Sequence, residues 1–143
     1  MAKITPGKGG SRKDAITLTA SGLFGEKVFP ATSVRDIAEA TGVEAPSLYD
    51  HTGSKSEILN DNCFRTAHLL NSNLREVGSG NESNLLKMER IVRFHILMMV
   101  GEYESLYISE HGWMHLPEPF PGDFKTRRRA YRNRLVATIE KGI

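Results

Sequence analysis

Apolar residues recur at helical spacing along almost the whole chain, and no segment alternates long enough to predict a strand. Ile16, Ala20, Leu23 and Phe24 share one face of a first helix expected from Ser11 to about Lys27, opened by a Ser11/Asp14 capping box. Val34, Ile37, Ala38 and Thr41 stand at i, i+3, i+4 and i+7 and predict a second helix. Ser33 and Asp36 supply its capping box, Gly42 its left-handed end, and Val43 the apolar residue that packs the turn. The chain restarts at Glu44-Ala45-Pro46, with the proline in a first turn where its missing N–H costs little. Leu48 faces inward there, which leaves Ser47, Tyr49, Asp50 and His51 for the outer faces until Thr52-Gly53 stops the helix.

The pattern continues through four more helices. Ser54, with Glu57 as a third capping box, opens one that runs to about Val77, its Leu59, Phe64 or Cys63, Leu70 and Leu74 spaced for burial. Gly78-Ser79-Gly80-Asn81 breaks it. From Ser83 to about Gly101 the next is apolar nearly all round between Ile91 and Val100, as expected of a helix central to a second core. A shorter one covers Glu102 to Trp113, and Pro117 to Gly122 reads as a loop. The last starts at Asp123 as N-cap and carries Phe124, Tyr131, Leu135 and Ile139 on its apolar face. The expected fold is therefore all-α: an N-terminal three-helix helix-turn-helix domain followed by a helical ligand-binding or regulatory region.

Thr32–Lys55 has the shape of a helix-turn-helix, whose second helix enters the major groove of DNA. Lys55 stands in the first turn of a helix, against the dipole, as a cation kept for an outside partner such as a phosphate would. The segment resembles the DNA-binding domain of the TetR/AcrR transcriptional regulators. Leu23-Phe24, Thr32-Ser33-Val34, Ile37-Ala38, Gly42-Val43, Ser47-Leu48-Tyr49, His51 and Lys55 match that family's pattern at its spacing, over residues 11 to 60. The resemblance implies DNA contacts from Thr32, Ser33, Arg35, Glu44, Ala45, Pro46, Ser47, Tyr49, Asp50, His51 and Lys55. Thr32, Ser33, Tyr49, His51 and Lys55 would take phosphates, and Glu44, Ala45, Pro46, Ser47 and Asp50 would form the base-reading edge.

The chain departs from the family at three places. After the first helix the family has a glycine and an aromatic, whereas Val28-Phe29-Pro30 keeps only the aromatic. Thr52 replaces the aromatic or apolar residue that follows His51. Asp50 puts a carboxylate on the recognition helix, where it repels phosphate unless it accepts from a cytosine amino group.

The resemblance also implies a division into a flexible basic arm (1–10), a DNA-binding domain (11–57) and an incomplete effector-binding region (58–143). The chain stops at Glu140-Lys141-Gly142-Ile143, where relatives in that family continue into two long helices that make the dimer interface, so the resemblance implies a fragment, a dimer formed differently, or the loss of those helices. The implied protein is a ligand-responsive repressor: a homodimer on a palindromic double-stranded operator, released by a small apolar or acyl-type effector. Phe94, Met98, Met99, Tyr103, Tyr107, Trp113 and Phe120 are candidates to line the effector pocket, though methionines and aromatics at this spacing also make plain core. The helix order, Ser109-Glu110-His111 and the proline loop resemble regulators of lipid or acyl-CoA breakdown.

Charge is placed unevenly. Lys3, Lys8, Arg12 and Lys13 form a basic start without acids, whereas between residues 14 and 60 Lys27, Arg35 and Lys55 are outnumbered by Asp14, Glu26, Asp36, Glu39, Glu44, Asp50 and Glu57. The arm can add phosphate or minor-groove contacts, or serve solubility alone. Arg127-Arg128-Arg129, with Arg132 and Arg134, reads as a solvated helix face, the alternatives being a phosphate-bearing effector or a partner's acids. The longest apolar run, Ile96–Val100, is too short to span a bilayer, and MAKITPGKGG lacks the apolar stretch of a signal peptide. The single cysteine, Cys63, excludes an internal disulfide and fits a reducing cytoplasm and an inert core position.

No cofactor or metal is expected. His111 and His115 lie four apart, but Gly112 and the prolines weaken a helix there and no third ligand has a matching spacing. His68 and His95 read as partly buried, hydrogen-bonded residues. No nucleophile elbow, phosphate-binding glycine loop or H-E-x-x-H motif appears, so an enzyme reading built on His111, His115 or Glu102/Glu104 lacks a constellation. The remaining alternative is a helical adaptor or ligand-binding protein that has lost specific DNA binding.

Overall fold

The computed structural model describes residues 12–142, so the basic arm and Ser11 of the first capping box lie outside the described residues. Seven α-helices follow one another among them: α1 (Arg12–Lys27), α2 (Val34–Thr41), α3 (Ala45–His51), α4 (Lys55–Ser79), α5 (Asn84–Gly101), α6 (Tyr103–His111) and α7 (Phe120–Gly142), with a 3₁₀ turn at Trp113–His115. Arg12 and Lys13 belong to α1 rather than to an arm, and the Lys13 ammonium is 2.9 Å from Asp61 on α4.

The caps that start and stop these helices are mostly those the residues predict. Ser33 accepts from the Asp36 amide while the Asp36 carboxylate accepts from the Ser33 amide, and Gly42 closes α2 at φ 68°. Ser54 caps α4 by accepting from the Glu57 amide. The reciprocal arm of that box is displaced, because Glu57 accepts from the amide of Gly53 instead of Ser54. The last helix begins at Phe120, not Asp123: Pro121 sits in its first turn, where a missing N–H leaves no bond unmade, so only Pro117–Pro119 remain as the loop.

One core joins α1–α4 to α6 and the start of α7: Ile16, Ala20, Phe24, Ile37, Leu48, Ile58, Leu59 and Cys63 pack with Ile108, Leu116 and Phe124. A second, smaller cluster holds Leu74, Val77 and Ile91 against Tyr131 and Leu135. α4 runs through both, about 37 Å long at 1.5 Å per residue. Burial pushes the Cys63 thiol up to about 12, so it stays protonated inside this core.

The expectation that α5 is central to the second core is overturned. Only Ile91 and Met98 are buried, while Leu85, Leu86, Val92, Ile96, Leu97, Met99 and Val100 are exposed, Leu85 at 82%. The helix touches α4, α6 and α7 on one side, and no described element covers the other. Among the described residues, no helix is long and apolar enough to cross a membrane.

Val28 explains one departure from the family pattern. It adopts φ 58°, the left-handed region where a glycine meets no penalty and a β-branched side chain is strained. Thr32 holds it there, its hydroxyl donating to the Val28 carbonyl at 2.9 Å and its amide to the Phe29 carbonyl at 3.2 Å. The left-handed cost of about 1–2 kcal/mol exceeds the entropy glycine adds to the unfolded chain, so Val28→Gly should stabilise the protein by about 1 kcal/mol. Thermal melts should show a rise of about 3 °C in Tm. An unchanged or lowered Tm would show that the turn is not strained.

Candidate nucleic-acid interface and effector cavity

α3 presents its outer face because one residue anchors it. Leu48 is buried among Ile37, Val43 and Ile58 in the main core, and this turns Pro46, Tyr49, Asp50 and His51 outward. Ser47 and Ala45 are half-buried at the helix edge, and Glu44 precedes them exposed, without a side-chain cap bond. Tyr49 is 54% exposed. Ser33 and Arg35 open α2 on the exposed side; Arg35 lies 3.5 Å from Glu39 one turn on. The Asp36 carboxyl is held below its usual range, chiefly by the Ser33 amide and hydroxyl and then by Lys27 at 3.3 Å.

Two expected contacts sit elsewhere. Thr32 is buried, with its hydroxyl and amide both bonded inside the turn. Lys55 donates to the Phe29 carbonyl at 2.8 Å and lies 4.2 Å over the Phe29 ring, so the protein itself answers the cation at the start of α4. Phe29 in turn packs edge-on to Phe24 and stacks on His115, which ties the α1–α2 turn to the body. Both residues shape the head rather than stand open on its surface. Thr52 is buried and donates to the Leu48 carbonyl at 3.1 Å, closing α3 where the family has an apolar residue.

A cavity of about 660 Å³ opens between α4, α5, α6 and α7, a size suited to a small ligand. Ala67, Leu70, Leu106 and Phe124 give it apolar walls, and Lys125, Arg128, Arg129 and Arg132 give it a cationic side. Arg128 donates to Glu110 across the opening. At another point Tyr131 and His95 meet at 2.7 Å. Thus the arginine run is more than a solvated face, since three of its members line a cavity.

None of the seven aromatic and methionine candidates lines this space. Met98 is buried in packing, Met99, Tyr103 and Tyr107 are exposed, Trp113 and Phe120 pack on Phe124 and Phe64, and Phe94 lies beside His95. Their helical spacing marked apolar character, but not the direction in which α5 and α6 are turned. On α7, Phe124, Arg128, Tyr131 and Arg132 stand at i, i+4, i+7 and i+8, a stripe of apolar and cationic groups on one face that the sequence reading split between an apolar face and a solvated one. His95 is half-buried and bonded as expected, whereas His68 is exposed, with Ser72 at 3.4 Å. His111 bonds to the Tyr107 carbonyl and stacks on that ring, while His115 stacks on Phe29 beyond the helix end, so the two do not share a helix face.

α6 connects the two sites. Leu106, Ser109 and Glu110 line the cavity, while Ile108 packs in the core of the DNA-binding head. A buried polar relay runs the same way: Ser21 of α1 donates to Asn62 Oδ1 at 2.8 Å, and Asn62 Nδ2 donates to the Ser105 carbonyl at 3.0 Å. Beside it, Arg65 of α4 makes a bidentate pair with Glu102 at 2.6 and 2.9 Å, which holds the Arg65 pKa above its usual value.

Residues 16–61 match the model of bacterial regulatory proteins of the tetR family. The HTH-type transcriptional repressor KstR2 of Mycolicibacterium smegmatis is 38% identical over 152 aligned residues, which take in 100% of this chain and 70% of that protein. Among solved structures, the ketosteroid transcriptional regulator KstR2 of Mycobacterium tuberculosis superposes with a TM-score of 0.83 at 23% identity, over 95% of this chain and 70% of that one. AibR, solved in complex with isovaleryl coenzyme A and operator DNA, superposes with a TM-score of 0.76 at 22% identity, over 92% and 71%. With a repressor of that identity aligned along the whole of this chain, and the family's head matched by its first helices, the chain belongs to the TetR family of transcriptional regulators.

Proposed function

We propose that the protein is a repressor that reads a palindromic operator in the cytoplasm as a homodimer and releases it when an acyl-CoA fills the α4–α7 cavity. The observation that carries this reading is α6, which lines the cavity with one face and enters the core of the DNA-binding head with another. A ligand that displaces Leu106 or Glu110 therefore moves an element on which α1 and α4 rest. The apolar walls suit an acyl chain, and Lys125, Arg128, Arg129 and Arg132 suit the phosphates of coenzyme A. AibR, which shares this fold, was solved with an acyl-CoA and its operator.

On DNA, Ser33, Arg35, Tyr49 and His51 take phosphates, and Glu44, Ala45, Pro46, Ser47 and Asp50 face the base edges. Thr32 and Lys55 support the head from within. The family relationship points to regulation without catalysis. Specific reading requires two recognition helices one DNA turn apart, hence the dimer.

The test is a binding titration against salt, using a DNA site selected by the protein from a random pool. A log–log slope of several units, a consensus palindrome and release by an acyl-CoA support the proposal. A slope near zero without sequence preference would leave a ligand-binding adaptor instead, a reading to which exposed Glu44 and Asp50 lend weight.

A further inference from the structure

We propose that His95 and Tyr131 form an acceptor subsite in the cavity that selects an acyl group bearing a hydroxyl over its alkyl and keto counterparts; this rests on the acyl-CoA reading above. The hydrogen bonds around the pair fix what it offers. His95 Nδ1 lies 3.0 Å from the Ile91 carbonyl, which can only accept, so Nδ1 carries the proton. In the neutral imidazole Nε2 is then an acceptor, and the Tyr131 hydroxyl, 2.7 Å away, donates to it. Every donor of the pair is committed, and what the pair still offers is a lone pair on the oxygen of Tyr131, a residue of the cavity wall.

The surroundings sharpen that offer. Tyr131 packs against Leu74, Val77 and Ile91, so a ligand group reaching it leaves water and must find its partner there. Burial raises the Tyr131 pKa, which keeps the phenol protonated. A ketone would bring a lone pair against a lone pair, and an ammonium would meet Arg128, Arg129 and Arg132. A neutral hydroxyl fits both constraints. Along α7, Tyr131 lies seven residues from Phe124, about 10 Å at 1.5 Å per residue, enough to separate the hydroxyl end of a short acyl chain from the wall at the DNA-binding head.

Calorimetric titration of hexanoyl-, 6-hydroxyhexanoyl- and 5-oxohexanoyl-CoA against the full chain tests this. The hydroxyl ligand should bind about five- to tenfold tighter than the other two, the worth of one net hydrogen bond. Tyr131→Phe should bring all three within about twofold of one another. His95→Leu, which removes the imidazole acceptor and frees the Tyr131 hydroxyl to donate, should raise keto affinity relative to hydroxyl. Equal affinities in the unaltered protein would overturn the subsite and leave the effector reading standing. Binding of none of the three would overturn both.

Discussion

Replacing Asn62 by alanine should leave a protein that binds its operator but needs at least about tenfold more effector to release it, because the relay from cavity to DNA-binding head is cut. Asn62 is fully buried, and its two ends bond to different parts of the molecule: Oδ1 accepts from Ser21 on α1 and Nδ2 donates to the Ser105 carbonyl on α6. Alanine removes both bonds, leaving the Ser21 hydroxyl to the Thr17 carbonyl, and opens a small void, a loss of about 2–4 kcal/mol that denaturant unfolding would read. Ser21→Ala breaks only the α1 half and should fall between the two. Operator release followed by fluorescence anisotropy at increasing acyl-CoA gives the coupling directly. An unaltered release curve for Asn62→Ala, with stability lowered as expected, would show that α6 signals through Ile108 packing or the Arg65–Glu102 pair instead.

On the recognition helix, Tyr49→Ala should weaken operator binding by about ten- to a hundredfold without lowering Tm, since this side chain points out of the fold. A neutral hydroxyl displaces no counterion, so the salt slope should stay as it is. Arg35→Ala should instead lower the slope by about one unit, because a cation leaves a phosphate. Anisotropy titrations at several salt concentrations separate the two. If Tyr49→Ala binds as the parent does, the outward face of α3 is not the reading surface, and the acidic pair Glu44 and Asp50 would then mark a head that no longer reads DNA.

The DNA-binding head was legible in the sequence because its signals are local. Ser33 and Asp36 cap within one turn, Gly42 supplies a backbone angle few other residues accept, and Leu48 alone turns inward on a seven-residue helix. The body was less legible. Met99, Tyr103 and Tyr107 are as apolar as core residues yet stand exposed, and Arg128, Arg129 and Arg132 read as surface yet line a cavity. Helical spacing reports that two residues share a face; it carries no information on which neighbouring helix, if any, covers that face.

The same contrast holds at single residues. Thr32 and Lys55 match a family pattern by position, but the roles of their polar atoms depend on the Phe29 carbonyl, brought to Lys55 from 26 residues away. Val28 marks a missing glycine in the sequence, and its strain exists only because the turn that Thr32 closes requires a left-handed angle. By itself, then, the chain determined the order of its helices, the caps that open α2 and α4 and close α2, and the pattern of its recognition head, set mostly by contacts within a few residues. Tertiary packing alone decided the cavity, the relay through Asn62 and the open face of α5, since these depend on the rotation of whole helices against one another, which no local pattern encodes.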